Sequence, residues 1–214
     1  MVLLLDLVIA RKSLLPVVAV LGLAVPLAFS IALWFDLNGD GVSSTSHVFG
    51  TLTVDKFSLF FKFLFVGVAA LVVLVSTDYV KKFKSFQAEY YSLVLLSTTG
   101  MMLLASTTEL ITIYVSLELT ALPIAALAAF LRDSRSAESG LKFLILSAIS
   151  SAVLLYGLVI IYGFTGATSL ADISAQINSL SLNGDTPFGD YALLFGIVLI
   201  MAGFGFKIAV VPFQ

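Results

Sequence analysis

The run Leu110–Leu131, LITIYVSLELTALPIAALAAFL, is apolar apart from a few hydroxyl-bearing residues and a single charged residue, Glu118. Twenty-two helical residues are about 33 Å long, close to the ~30 Å thickness of the hydrocarbon core of a bilayer. A segment that crosses lipid must satisfy its own backbone hydrogen bonds, and a helix does so. The run is therefore predicted to be a transmembrane helix.

Apolar runs of similar length lie on both sides of this segment, at about 14–35, 56–77, 89–107, 139–163 and 190–213. The whole sequence is 60% hydrophobic and 11% charged, whereas a soluble globular protein is about 45–50% apolar and about 25% charged. The sequence thus predicts an all-α integral membrane protein. We expect a polytopic helical bundle with about six complete transmembrane helices, forming a single transmembrane domain over residues 1–214.

Both ends of the chain differ from a complete span. Residues 1–10 are mostly apolar and are followed by two basic residues. Ten helical residues cover only about 15 Å, so this segment is predicted to be a stub, the end of a helix that starts earlier. The chain stops at Gln214, inside an apolar run. We therefore expect a fragment that is cut at both ends.

The basic residues of the loops alternate along the chain. Residues 11–12, 78–88 and 132–138 hold all the lysines and arginines of the loops, whereas 36–55 and 164–189 hold acidic residues and no base. Cytoplasmic loops of membrane proteins are enriched in Lys and Arg. The pattern predicts that the basic loops face the cytoplasm, across a bacterial plasma membrane.

Two connections that are predicted to lie on the opposite, outer side contain residues that predict their local structure. Thr108 and Glu109 alone separate two spans, which predicts a tight turn. Ser169 and Asp172 fit a capping box before a short amphipathic stretch that extends to Ile177. We expect a short helix at the membrane interface there.

Composition also excludes several classes of function. The net charge is −2 and basic residues form no stripe, which argues against binding of nucleic acid. Cysteine is absent, so this chain has no thiolate metal site, iron–sulfur cluster or c-type haem attachment. The stretch Asp36–Gly41 resembles the start of a calcium loop, but its twelfth position is His47 where a bidentate glutamate is needed. No cofactor and no metal are expected in this chain.

Glu118 is the strongest candidate for chemistry. It lies about 12 Å from the outer end of its span, where a charge is costly unless it is paired, hydrated or protonated. Pro123 removes the amide that would bond the carbonyl of Leu119, which favours a kinked and locally hydrated helix. A carboxylate that gains and loses a proton is the leading interpretation. The alternative is a structural acid that is bonded to a neighbouring helix.

Lys207 is the natural counterpart of Glu118, because it also lies deep in an apolar span. Two charges that change their separation can exchange a proton. The alternative is that Lys207 extends along its aliphatic stem to the membrane surface. Gly203, Gly205 and Pro212 predict that this last helix is broken around a cavity.

Three other features have simpler explanations. Lys142 and Glu138 are spaced as an i,i+4 pair, which predicts a surface ion pair; a place for Lys142 on a proton path is the second interpretation. Lys62 is near the outer interface and is expected to extend towards it. Small residues on one apolar span predict a face for helix packing, and they are Ser147, Ser150, Ser151 and Gly157.

Several segments together resemble subunit N of bacterial respiratory complex I, NADH–quinone oxidoreductase, which is subunit 2 in mitochondria. They are Ser116-Leu-Glu118-Leu-x-x-Leu-Pro123, Glu138-Ser-Gly-Leu-Lys142-Phe, Tyr156-Gly157-x5-Gly163-x-x-Gly166 and Gly205-Phe-Lys207-x4-Pro212-Phe213. The resemblance extends along essentially the whole chain, in the same order. It implies that the chain represents little more than the first half of such a subunit, with residues 1–10 as the end of the first helix.

The resemblance also implies roles for residues. Glu118 matches the glutamate of the family's fifth transmembrane helix, and Lys207 matches the lysine of its broken seventh helix. Together they would form the input pair of a proton half-channel that responds to quinone reduction elsewhere in the complex. Lys142 matches a family lysine less closely, and Gln214 stands where many relatives carry histidine.

As a subunit of an NADH:quinone oxidoreductase, a proton translocase, the chain would hold no redox centre. Its partners would be other membrane-arm subunits, and flavin, iron–sulfur clusters and quinone would bind in partner subunits. Two alternatives remain. One is a subunit of a related multisubunit sodium/proton antiporter or of a membrane-bound hydrogenase, because these share the Glu and Lys motifs. The other is a truncated product that serves only as a structural spacer.

Overall fold

A computed structural model describes residues 15–39, 46–48, 50–81, 83, 86–131, 133–183 and 187–210. Eight helices occur in these ranges: α1 Leu15–Gly39, α2 Lys56–Val75, α3 Thr77–Val80, α4 Gln87–Leu104, α5 Leu110–Ala128, α6 Ser134–Thr165, α7 Leu170–Asn183 and α8 Pro187–Lys207. Two short strands, β1 Ser46–Val48 and β2 Leu52–Val54, pair antiparallel between α1 and α2.

A helix occupies each of the six predicted spans, which confirms the all-α polytopic fold. Within the described ranges, four helices are long and apolar enough by themselves to cross a membrane: α1, α2, α5 and α6. Helix α4 is less apolar, since it begins Gln87-Ala-Glu89 and carries Ser and Thr at residues 97–99. The apolar part of α8, Tyr191–Lys207, is shorter than the other spans.

The bundle packs in two groups that meet between α4 and α5. In the first group, Leu15, Val73 and Tyr91 belong to a buried cluster shared by α1, α2 and α4. In the second group, α6 packs against both α5 and α8. The faces away from these contacts carry large exposed apolar side chains such as Phe29 and Val75. Such faces suit contact with lipid or with other membrane helices.

Helices α6 and α8 approach each other closely because small residues line their contact. A Cβ atom at Gly157 would lie 2.8 Å from the carbonyl oxygen of Gly196. Ser150, which is buried on the same face of α6, donates a hydrogen bond of 2.9 Å to the carbonyl of Gly203. The predicted small-residue face of α6 is therefore the face that packs on α8.

The connections that precede α5 and α7 are tied together by backbone hydrogen bonds. The amide of Leu110 donates to the carbonyl of Thr168 at 2.9 Å, and the amide of Leu170 donates to the carbonyl of Thr108 at 3.0 Å. The predicted interfacial helix is present as α7 and runs to Asn183. The predicted tight turn is longer than expected, because α4 already ends at Leu104.

Helix α8 ends at Lys207 in a Schellman arrangement. The amide of Val210 donates to the carbonyl of Gly205 at 2.9 Å, and that of Ala209 donates to Phe206 at 3.0 Å. Ala209 adopts a left-handed φ of 53°. The helix thus stops before Pro212, but the second half of the predicted broken helix lies outside the described residues, as do residues 1–10 and Gln214.

Candidate functional site

Three helices bring Glu118, Ser151 and Lys207 into one cluster. The ammonium nitrogen of Lys207 (Nζ), on α8, lies 3.1 Å from Oε1 of Glu118, on α5. The two side chains are 11% and 23% exposed, respectively. The two residues that the sequence analysis paired are thus in direct contact between packed helices.

Ser151 of α6 contacts both charged groups. Its hydroxyl donates a short hydrogen bond to Oε1 of Glu118 and accepts one of 3.0 Å from Nζ of Lys207. With the direct bond between Lys207 and Glu118, these contacts close a triangle of hydrogen bonds. Ser151 itself is 4% exposed.

From the sequence, Ser151 is predicted to serve helix packing, and its contact with the charged pair is not predicted. Its sequence context contains one usable signal, the spacing of Ser147, Ser150 and Ser151 on a single face of an apolar helix. That spacing favours packing and a polar site equally. Only the position of α6 between α5 and α8 distinguishes the two.

The end of α8 sets the position of the lysine. Lys207 is the last residue of the helix, and the chain turns away at Ala209. One helical turn earlier, Gly203 packs on Leu154 of α6. The ammonium group is thereby held beside Ser151 by a packed helix end.

Packed apolar side chains lie on one side of the cluster. Leu154, Leu158 and Ile161 follow Ser151 along α6 towards the end of the bundle where Glu109 lies, and they are buried together with Leu110 and Leu193. Tyr114 and Phe204 pack against the same group. We call these seven residues the apolar seal. Charges beside such a surface interact more strongly than in water, because the local dielectric is low.

Lys142 is placed away from this cluster. Its Nζ lies 2.5 Å from Oε1 of Glu138, and both side chains are largely exposed. Nine helical residues, about 13 Å along the axis, separate Lys142 from Ser151. The structure therefore gives the surface ion pair, and a role of Lys142 on a proton path stays a prediction.

Lys62 is also separate from the cluster. It lines an apolar cavity of about 690 Å³ between α1, α2 and α4, together with residues such as Leu23 and Met102. The cluster of Glu118, Ser151 and Lys207 is formed by α5, α6 and α8.

Glu109 lies at the N-terminal end of α5. Its carboxylate caps the helix by accepting from the amide and the hydroxyl of Thr112, at 2.8 and 2.6 Å. Burial raises the pKa of Glu109, but hydrogen bonds from Thr112, Thr168 and the amide of Ile111 outweigh it and lower the pKa overall. Glu109 is thus a structural carboxylate that stays ionised at neutral pH.

Comparisons with known proteins agree with this architecture. Residues 107–214 match the family described as NADH:quinone oxidoreductase/Mrp antiporter, TM. NADH-quinone oxidoreductase subunit N of Dehalococcoides mccartyi is 47% identical over 165 residues, which are 77% of this chain and 34% of that protein.

Two solved structures share the fold. A chain of respiratory complex I from Thermus thermophilus with bound aureothin is 31% identical, with a TM-score of 0.74, over 99% of this chain and 42% of that one. A chain of the membrane-bound sulfane sulfur reductase, an archaeal respiratory membrane complex, has a TM-score of 0.75 over 95% of this chain and 41% of its own. At 21% identity this second likeness concerns the fold alone.

The sequence spans about a third of the length of the curated relatives that it matches. The family match covers residues 107–214, half of the chain, and includes Glu118, Ser151 and Lys207. The family resemblance that the motifs around Glu118 and Lys207 predicted is confirmed. The chain belongs to the NADH:quinone oxidoreductase/Mrp antiporter transmembrane family and is an integral membrane protein.

Proposed function

We propose that this chain contributes a proton half-channel to the membrane arm of a proton-translocating NADH–quinone oxidoreductase. Glu118 and Lys207 are its proton-handling residues. The observation that carries the proposal is the partly buried contact between their charged groups, at 3.1 Å. The identity to subunit N relatives and to a complex I chain supports it.

A partly buried ion pair of this kind suits energy transduction because the attraction between its charges is similar in size to the work of moving a charge across a membrane. Two unit charges 3.1 Å apart interact by roughly 5 kcal/mol at an effective dielectric of about 20. Moving one charge through 100 mV of membrane potential involves about 2.3 kcal/mol. The attraction that is lost when the pair opens is therefore of the same order as the work of moving a proton across an energised membrane.

The direction of access follows from the apolar seal. Leu154, Leu158 and Ile161 separate the pair from the Glu109 end of the bundle. A proton reaches Glu118 more easily from the opposite end, where the basic loops lie. We infer that this end faces the cytoplasm of a bacterial cell, so the half-channel takes up cytoplasmic protons.

In this proposal the chain works as one subunit of a larger enzyme. Other membrane-arm subunits are its partners, since the solved relatives are chains of respiratory membrane complexes. Flavin, iron–sulfur clusters and quinone belong to partner subunits, and quinone reduction there changes the charge state of the Glu118–Lys207 pair from a distance.

A second candidate is a subunit of a multisubunit sodium/proton antiporter. The matched family includes Mrp antiporters as well as NADH:quinone oxidoreductases. The two candidates differ in what drives transport. The first requires electron transfer from NADH to quinone, whereas the second exchanges protons for sodium without a redox reaction.

The test replaces Glu118 by glutamine in the full-length protein within its assembled complex. Proton uptake into sealed vesicles and NADH–quinone electron transfer are measured together. We expect Glu118→Gln to lose most proton uptake while the complex stays assembled. The control is Glu138→Gln, which neutralises an exposed glutamate and should retain uptake. Normal uptake by the Glu118→Gln complex would contradict the proposal, and sodium-driven uptake without NADH would favour the antiporter.

A further inference from the structure

We propose that Ser151 is a proton relay between Lys207 and Glu118. The inference rests on the proposed function, because it names a third residue for the same proton transfer. It begins with the two contacts of one hydroxyl, which donates to Oε1 of Glu118 and accepts from Nζ of Lys207 at 3.0 Å. A hydroxyl placed between an acid and a base can pass a proton from one to the other.

The Ser151 hydroxyl does not bond its own helix but donates to a charged side chain of another helix. Hydroxyls in helices often bond the carbonyl four residues earlier, as Thr165 does with Ile161 at 2.8 Å and Ser139 does with Arg135 at 2.9 Å. Ser151 directs its proton across to α5 instead. Its hydroxyl is therefore committed to the charged pair.

The transfer conserves charge and atoms. An N–H bond of the Lys207 ammonium breaks and leaves its electron pair on Nζ, while that proton forms an O–H bond with Oγ of Ser151. The original O–H bond of Ser151 breaks as its proton binds Oε1 of Glu118. The products are a neutral amine, a neutral carboxylic acid and an intact serine whose proton came from the lysine. The reverse sequence restores the ion pair.

The same serine can bond its neighbours in both charge states. With the pair ionised, Ser151 accepts from Lys207 and donates to Glu118. After the transfer its hydroxyl accepts from the carboxylic acid and donates to the amine, since a hydroxyl has one proton and free acceptor sites. In both charge states, each of the three side chains therefore has a hydrogen-bond partner. A buried polar group without a partner would raise the free energy of that state. Ser151 therefore lowers the free energy of the state in which Glu118 and Lys207 are both neutral.

The direct contact of 3.1 Å between Lys207 and Glu118 offers a competing route. A role of Ser151 in packing alone is the other alternative, because it lies on the face of α6 that packs on α8. The experiment must therefore separate the hydroxyl from the volume of the side chain. Threonine and valine have nearly the same size and shape, and only threonine has a hydroxyl.

Ser151→Thr, Ser151→Val and Ser151→Ala are compared in the assembled complex, with NADH-driven proton uptake measured in vesicles. We expect the alanine and valine variants to lose most proton uptake and the threonine variant to recover it. Ser150→Ala is the matched control, since it removes a hydroxyl that bonds the Gly203 carbonyl between the same two helices. It should retain uptake.

Equal uptake by the threonine and valine variants, with normal uptake by Ser151→Ala, would overturn the relay. If both branched variants fail for lack of space, Ser151→Ala decides: lost uptake supports the relay, and normal uptake overturns it. Glu118→Gln is run alongside. Loss of uptake there with normal uptake in Ser151→Ala rejects the relay only, whereas normal uptake in Glu118→Gln rejects the proposed function itself.

Discussion

Gly203 of α8 lies directly against Leu154 of α6, one helical turn before Lys207. A Cβ atom at residue 203 would be 2.6 Å from the Cβ of Leu154 and 3.0 Å from its Cα. Contacts this short cannot be relieved by a side-chain rotation, because they involve the backbone of α6. The packing distance between α6 and α8 is therefore set at this point, close to the Glu118 site.

Replacing Gly203 by alanine is expected to separate the two helices and to destabilise the protein by about 1–3 kcal/mol, as overpacking does. The displacement would also move Lys207 away from Ser151, so proton uptake should fall. Thermal stability of the purified complex and uptake in vesicles measure the two effects. Gly163→Ala in α6 is the control, since nothing lies within 4 Å of that position. Equal thermal stability of both variants would show that the contact at Gly203 does not set the distance between α6 and α8.

Removing one partner of the buried pair should cost more stability than removing both. Lys207→Met leaves the Glu118 carboxylate without its cation. Such a change costs about 3–5 kcal/mol in a fully buried pair, and less is expected here because the side chains are 11% and 23% exposed. Adding Glu118→Gln to Lys207→Met removes the unpaired charge, so most of that stability should return. Thermal unfolding of the complex measures the recovery.

Proton uptake should not return in that double variant, because the site then has neither its acid, Glu118, nor its base, Lys207. Stability that returns without proton uptake would show that the ion pair has a function beyond holding the helices together. Recovery of both stability and uptake would mean that the pair only holds the helices together.

Stability should depend on pH through Glu109. Hydrogen bonds from Thr112 outweigh burial and lower the pKa of this carboxylate in the folded protein. Its contribution is therefore fully present above the unfolded pKa of about 4.3 and is lost as the pH falls through the lower folded value. Glu109→Gln should lower the melting temperature at neutral pH, and the difference from wild type should shrink in acid below about pH 4.

Asp78→Asn is a suitable control for that titration. Asp78 is an exposed carboxylate whose pKa is lowered by its hydrogen bond to Lys81. Because surface ion pairs contribute little, this variant should melt like wild type at both pH values. A pH-independent effect of Glu109→Gln would assign the loss to shape instead of charge.

The fold was largely predictable because lipid imposes a simple length rule on apolar segments. The runs around Glu118 and Lys207 were each identified as spans, and each is helical. The rule works less well for α4, where Ser97, Thr98 and Thr99 interrupt the apolar pattern. Each hydroxyl bonds a backbone carbonyl: that of Ser97 bonds Thr120 of α5, and those of Thr98 and Thr99 bond carbonyls of α4 itself.

The site was only partly predictable, for a physical reason. A charge in an apolar span stands out in sequence, so Glu118 and Lys207 were found without any structure. A serine does not stand out, because it is common in membrane helices and serves as a small residue for packing. The contacts of Ser151 depend on how α5, α6 and α8 are rotated against one another, and local patterns carry no information about that rotation.

The end of α8 makes the two charges of the pair unequal. Lys207 occupies the last helical position, where the aligned peptide dipoles amount to about half a negative charge and favour a cation by about 0.3–1 kcal/mol. Glu118 lies in the middle of α5, more than two turns from its N-terminus, and receives no comparable support. When the pair separates, the lysine keeps part of its stabilisation and the carboxylate does not. The helix end therefore stabilises one charge of the pair independently of the other.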